Sequence, residues 1–305
     1  MNRFTHAGIV PRVIDIPAAL AASLTHVHGP AGRAFLTALP RLAAYHLDRW
    51  NLRPDGPPMH GRCALVLPVA RADGTPAALK LQNPDEETEG EPTALRAWAG
   101  DGAVRLLDHD PATGTLLLER LDPARLLAHD PDDHRVVLVI ARLLAHLTAR
   151  PAPPDLRRTL GAVAQDLLDR TPRALSRVPD PATRRLLADC AAAVREVAAE
   201  PGDRLLHWDL HDENVLGAAR APWLAIDPKP LAGDPGFDLW PALVNRFDPE
   251  DVRWRFDAMT EALTLDRDRA RSWTLARLLQ TCLWSVESEH EIEEEWLEAG
   301  RRLRG

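Results

Sequence analysis

The stretch Leu205–Leu216 reads LLHWDLHDENVL. Apolar pairs frame it at both ends. Between them His207, Asp209, His211, Asp212, Glu213 and Asn214 place six polar side chains in eight positions. Three kinds of structure use such a run: a metal-hydrolase cluster, a phosphoryl-transfer loop, or a solvated turn.

The next segments narrow the choice. PWLAIDPKP (222–230) reads as a second apolar strand ending at Asp227, and GDPGFDLW (233–240) follows it. Asp209 and Asn214 are five residues apart, and Asp227 lies thirteen beyond Asn214. A carboxylate, an amide and a carboxylate presented from adjacent β turns are the inventory of a phosphoryl-transfer site. One carboxylate takes the proton of an attacking hydroxyl. The amide oxygen and the second carboxylate suit magnesium, a hard cation that prefers oxygen. Such a site also needs a cation for nucleotide phosphates. Of 37 basic residues only Lys80 and Lys229 are lysine. Lysine is a compact point charge on a flexible stem, where arginine is a planar fork. Lys80 lies in a strand-like AALKL, and Glu86, Glu87, Glu89 and Glu91 just downstream offer it an acidic partner.

Farther out, CALVLPVA (63–70) and AALKLQ (77–82) read as a hairpin around Asp73-Gly74. A short helix near 93–100 follows, with Pro92 placing Glu91 at its start. A second hairpin covers 103–121. A helical pattern at 31–49 is expected to break at Pro40. Beyond Leu121 the periodicity becomes helical, at 132–149, 156–170 and 182–199, with proline-rich breaks between. A β segment spans 204–227, and the tail, 250–303, is helical again. The expected class is α+β: an N-terminal β-rich lobe (1–118), a hinge (119–123) and a mostly helical C-terminal lobe (124–305).

Composition is that of an ordinary soluble globular protein. The 305 residues are 45% hydrophobic with a net charge of -8, enough for a full core. An acidic surface argues against nucleic acid and anionic membrane and suits a cationic ligand. Cys63, Cys190 and Cys282 form no pair motif, which fits a reducing compartment. No apolar run is long enough to span a bilayer. The start, MNRFTHAGIVPRVIDIP, has no organised leader. The expected location is the cytoplasm, with no obligate protein partner.

HWDLHDENVL resembles the H-x-D-x-x-x-x-N catalytic loop of the aminoglycoside phosphotransferases, which share the protein-kinase fold. IDPKP stands where kinases carry D-F-G, and AALKL where they carry V-A-I-K. Further segments (LRAWAGDGAVRLLDHD, LLLERLD, GDPGFDLWPAL, SWTLARLLQ) resemble the streptomycin 6-phosphotransferase branch and its relatives, the hydroxyurea kinases. The likeness runs from about 31 to 285. It implies a two-lobe kinase-like fold, ATP and Mg2+ as cofactors, and a small cationic antibiotic, streptomycin, as acceptor, with hydroxyurea as the alternative. It implies Asp209 as base, Asn214 and Asp227 as magnesium ligands, and Lys80 on phosphate with Glu91 as its partner. Glu119 to Leu121 would form the hinge that holds adenine. Asp238 would brace the loop, and Asp234 would do the same or face substrate. Two positions depart from the kinase pattern. No G-x-G-x-x-G precedes Lys80, where HGRCALV offers only Gly61, and Pro228 replaces the phenylalanine.

The other readings make their own demands. A zinc hydrolase would use His207, Asp209 and His211 with further ligands downstream, where only His290 remains. A silent kinase-like binding protein would lack the base, a ligand or the lysine. His207 is expected to support the base by hydrogen bonding. His211 and Asp212 face substrate or solvent. Lys229 is expected at the surface, phosphate contact being the alternative. The acidic run ESEHEIEEEWLE (287–298) is expected to form a solvated helix face or to line a cationic-substrate pocket. The tryptophans are expected in packing roles.

Overall fold

The computed structural model of the protein describes residues 14–304. The first thirteen residues, which carry most of the leader expectation, and Gly305 lie outside them. The chain divides into two compact units. Among the described residues, 14–85 with Arg105–Arg120 form one; Glu86–Val104 with 121–304 form the other.

The first unit is built on the expected hairpin. Strands β1 (Arg53–Pro54), β2 (Met59–His60), β3 (Ala64–Ala70), β4 (Pro76–Gln82), β5 (Leu106–Asp110) and β6 (Thr115–Glu119) form one sheet. Its order is β1-β3-β4-β6-β5, with β2 also on β3. At the β3–β4 turn, Gly74 takes φ +83° and Asp73 Oδ1 accepts the Thr75 N–H at 2.9 Å. β4 lies in mid-sheet, with Lys80 opposite Val66 on β3 and Leu116 on β6. Helix α1 (Ala18–Arg49) covers the sheet with Leu20, Leu24, Phe35, Leu39 and Ala43, which join Leu65, Leu67, Leu79 and Leu81 in one core.

Pro40 does not break this helix, contrary to expectation. It lies on the exposed side, between the buried Leu39 and Ala43. The bond it forfeits to a preceding carbonyl is replaceable by water. The interruption falls instead at Gly29, with φ +52° and ψ −122°. Only glycine tolerates that backbone readily.

The second unit is mostly helical: α2 (Glu91–Trp98), α3 (Asp133–Leu147), α4 (Leu160–Leu175), α5 (Pro181–Val197), α6 (Trp240–Val244), α7 (Val252–Ala262), α8 (Arg267–Glu287) and α9 (Glu294–Arg304). Side-chain caps set several starts. Asp132, Thr159, Asp180 and Asp266 accept the N–H groups of Arg135, Ala162, Thr183 and Arg269. The Thr159 cap explains why α4 begins at Leu160 rather than at 156. α2 packs within this unit, where Trp98 Nε1 donates to Leu147 O at 3.1 Å. Short strands carry the irregular centre: β7 (Asp122–Leu126), β8 (Arg204–Leu206), β9 (Val215–Gly217), β10 (Leu224–Ala225) and β11 (Leu231–Gly233). β9 pairs with β10 and β7, and β8 pairs with β11. Among the described residues no helix is long and apolar enough to cross a membrane.

Candidate active site

The β9–β10 ladder positions two of the expected residues. Val215 faces Ala225, and one step farther the Ile226 N–H donates to Asn214 O at 2.9 Å. Asn214 therefore enters β9 as Asp227 leaves β10. The Asn214 side chain reaches back, and Nδ2 donates to Asp209 O at 2.8 Å. Lys229 N–H donates to His207 O at 3.0 Å. Asp209, Asn214 and Asp227 thus belong to one set of hydrogen-bonded turns, as the spacing predicts. With Nδ2 committed to backbone, Oδ1 is the amide atom suited to a cation.

Buried groups lock the turn that carries Asp209. Asp238 is fully buried. Its Oδ2 accepts the His207 N–H at 2.7 Å and its Oδ1 the Trp208 N–H at 2.5 Å. Burial pushes its carboxyl up to about 7, against those two donors. This is the expected brace. His207, also fully buried, has Nε2 at 3.0 Å from Ile226 O and Nδ1 at 3.4 Å from the Asp209 N–H. That pattern requires the neutral ring, with Nε2 donating and Nδ1 accepting. Burial pushes its pKa down to about 3, in agreement with the hydrogen bonds.

Trp208 takes φ +70°, a left-handed backbone uncommon for a bulky residue. Two guanidinium groups lie over its ring. The Arg158 guanidinium carbon lies 3.9 Å from the ring centroid and that of Arg277 4.6 Å. Trp284 stacks beyond at 6.5 Å. These are packing contacts with cation–π character. Arg277 donates to Gln280 Oε1. Burial lowers its pKa to about 10, while Asp209, Glu87 and Asp238 act to raise it.

Lys229 is not a surface residue. Its side chain is 16% exposed, and Nζ lies 2.9 Å from Asp227 Oδ2. Asp227 itself has φ +56°. Burial alone would depress the Lys229 ammonium. Asp227, Glu91 and Asp209 more than offset it, so its pKa is raised. Sequence reasoning missed this residue because the burial is tertiary. The available signal was its rarity, one lysine of two.

The remaining candidates divide. Glu91 is fully buried at the first turn of α2, next to Pro92 as expected. Lys80 is 5% exposed in the first unit. Glu119 ends β6 in that unit; its N–H donates to Arg105 O at 2.9 Å, and its Oε2 accepts the Arg105 N–H at 3.0 Å. Leu121 opens the longer segment of the second unit. Asp212 is not solvated. It is 3% exposed and accepts Arg246 Nε at 2.7 Å. Asp234 caps the turn before α6, accepting the Gly236 N–H at 2.8 Å and Arg269 Nε at 2.6 Å. The acidic run is not one helix: α8 ends at Glu287 and α9 begins at Glu294. Several of its carboxylates pair with arginines, Glu287 with Arg170, Glu289 with Arg177 and Glu294 with Arg301.

The donor set suits magnesium better than zinc. Asn214 and Asp227 offer hard oxygens, and Asp227 already holds a cation, the Lys229 ammonium. The zinc reading relied on His207, and both of its ring nitrogens are engaged. Among the described residues no three His, Cys, Asp or Glu side chains converge as metal ligands.

Comparison with known proteins gives the family. A profile described as aminoglycoside/hydroxyurea antibiotic resistance kinase matches residues 49–289. A hydroxyurea phosphotransferase of Kitasatospora aureofaciens is 60% identical over 280 residues, 91% of this chain and 82% of that protein. A streptomycin 6-kinase of Streptomyces glaucescens is 55% identical over 284 residues, 90% of this chain and 92% of that one. Among solved structures, a putative fructosamine-3-kinase from Thermobifida fusca aligns with TM-score 0.58 at 18% identity, over 86% of this chain and 98% of its own. An aminoglycoside phosphotransferase in ternary complex with ADP and hygromycin B aligns with TM-score 0.58 at 13% identity, over 86% and 96%. These structural likenesses bear out the α+β, protein-kinase-like fold. The chain belongs to the aminoglycoside/hydroxyurea antibiotic resistance kinase family, and it is a phosphotransferase acting on a hydroxyl group.

Proposed function

We propose that the chain transfers the γ-phosphoryl group of ATP, with Mg2+, to a hydroxyl of a small-molecule antibiotic, streptomycin in the first reading. The observation that carries this is the hydrogen-bonded set of Asp209, Asn214 and Asp227. Asp209 orients the acceptor hydroxyl and takes its proton, as a positioned carboxylate does in phosphoryl transfer. Its backbone is held on both sides, by His207 at N–H and Asn214 at C=O, so the side chain acts from a fixed base. Asn214 Oδ1 and the Asp227 carboxylate are the assigned ligands for magnesium, which when bound would neutralise phosphate charge. Lys80 is the proposed phosphate-binding lysine and Glu91 the proposed lysine-supporting carboxylate. The 119–123 segment is the proposed hinge. Its backbone groups are proposed to hold the adenine edge. The three free cysteines support a cytoplasmic setting. The net charge of -8 supports a small-molecule partner over nucleic acid.

Hydroxyurea is the second reading. The 60% identical relative favours it. So does the pairing of Asp212, Asp234, Glu287 and Glu289 with arginine, which leaves those carboxylates less able to receive the guanidinium groups of streptomycin. A coupled ADP-release screen over streptomycin, other aminoglycosides and hydroxyurea, with mass spectrometry of products, tests both. A phosphorylated product identifies the acceptor. ADP release with none of them, although metal and ATP bind, would overturn the proposed substrate class.

A further inference from the structure

Lys229 has a geometry the catalytic roles above do not use. Its backbone is fixed on both sides: N–H donates to His207 O, and C=O accepts Arg158 Nη1 at 3.0 Å. Pro228 and Pro230 flank it and restrict the chain further. Only the four-carbon stem is left to move. Its ammonium makes a direct charge-assisted contact, 2.9 Å, with the carboxylate assigned to magnesium. The Glu91 carboxylate lies in its field as well. With this ammonium in place Asp227 is already neutralised. A divalent ion arriving alone must compete for a satisfied carboxylate. A metal–nucleotide complex differs, because its phosphate oxygens offer the displaced ammonium a new anion. The chemistry needs a compact charge on a flexible stem, and this arginine-rich chain places a lysine here.

We propose that Lys229 is the resident counter-cation of Asp227, holding the metal ligand while nucleotide is absent and passing to a phosphate oxygen when the metal–nucleotide complex takes its place. The proposal rests on the reading of Asp227 as a metal ligand. It makes loading coupled: free divalent metal binds poorly, and metal with nucleotide binds well.

Two measurements test it on the full chain. In the first, titration calorimetry follows Mn2+ binding with and without a non-hydrolysable ATP analogue. Lys229→Met is expected to raise the Mn2+ affinity of the nucleotide-free protein about tenfold or more and to weaken Mn2+–analogue binding by a similar factor. Lys229→Arg should keep nucleotide-free Mn2+ affinity near the parent value. Asp227→Asn serves as the control. If Asp227→Asn loses metal–nucleotide binding while Lys229→Met leaves Mn2+ affinity unchanged, the counter-cation role is overturned and the metal site stands. If Asp227→Asn binds metal–nucleotide like the parent, the metal-ligand reading falls and this proposal with it. The second measurement needs no substitution at 229. Isotope-labelled lysine side chains give two NMR signals, assigned through Lys80→Arg. The Lys229 signal should hold still with Mg2+ alone and move when Mg2+ and analogue are added together. A Lys229 signal that the analogue leaves in place overturns the proposal, even if Lys229→Met fails to fold.

Discussion

Two segments of this chain are rich in carboxylates, and the structure treats them in opposite ways. In 207–214 and its neighbours two of the acids, Asp212 and Asp238, are buried and hold fixed partners. Asp238 holds two N–H groups, and Asp212 is buried against an arginine. In 287–298 the acids meet arginines at the surface, as with Glu289 at 83% and Glu294 at 73% side-chain exposure. Density of charge along a sequence therefore says little by itself. A carboxylate becomes a functional element when the fold desolvates it or fixes the chain that carries it. Exposed ion pairs of the second kind are worth about 0–1 kcal/mol.

Four experiments test this contrast, from the largest expected effect to the smallest. Asp209→Asn should lower kcat by about three orders of magnitude, about 4 kcal/mol in barrier, with ATP-analogue affinity preserved in a binding assay. Parental turnover would remove Asp209 from its role. Asp238→Ala leaves the His207 and Trp208 N–H groups without acceptors. It should destabilise the protein by about 2–4 kcal/mol in denaturant unfolding, and turnover should fall with the loosened loop.

The third is a pair of pH profiles with opposite signs. The folded-state pKa of His207, about 3, lies below its unfolded value of about 6.5. Its contribution is complete above about pH 6.5 and is lost as pH falls toward 3. The folded-state pKa of Asp238, about 7, lies above its unfolded value of about 3.9. Its contribution is complete below about pH 4 and is lost as pH rises through 7. The two oppose each other between about pH 4 and 6.5. His207→Gln should therefore gain stability relative to the parent as pH falls from 7 to 5, and Asp238→Asn should lose it, each by about 1–2 kcal/mol. Chemical denaturation at the two pH values checks the signs. Smallest of all, Glu289→Gln should shift stability by less than about 0.5 kcal/mol and leave the acceptor KM unchanged. A KM change of tenfold would make the acidic segment part of the acceptor site and dissolve the contrast.

Much of this arrangement was legible in sequence because it is written locally. The hairpin through Lys80 follows from apolar runs around Asp73-Gly74, and the Asp209–Asn214–Asp227 spacing follows from a turn and a short ladder. What escaped depends on contacts distant in sequence. Lys229 looked like a surface residue because only the surrounding tertiary structure shields it. Asp212 looked ambiguous because its partner, Arg246, is 34 residues away. The first half of α1 was unreadable for a different reason. HVHGPAG (26–32) has the composition of a break, and the chain does kink at Gly29, but Leu20 and Leu24 reach the core and sustain the helix before it. Pro40 was misjudged from propensity alone, without knowledge of which face met solvent.

The left-handed backbone at Trp208, whose ring lies under two guanidinium groups, holds the chain next to Asp209 in place. In the proposed role of Asp209 as base, an acceptor that arrives at a poor angle would not draw the turn toward it. Selection among alcohols would then operate by approach geometry, and broadening the range of molecules modified would call for loosening Arg158 or Arg277 rather than enlarging a cavity.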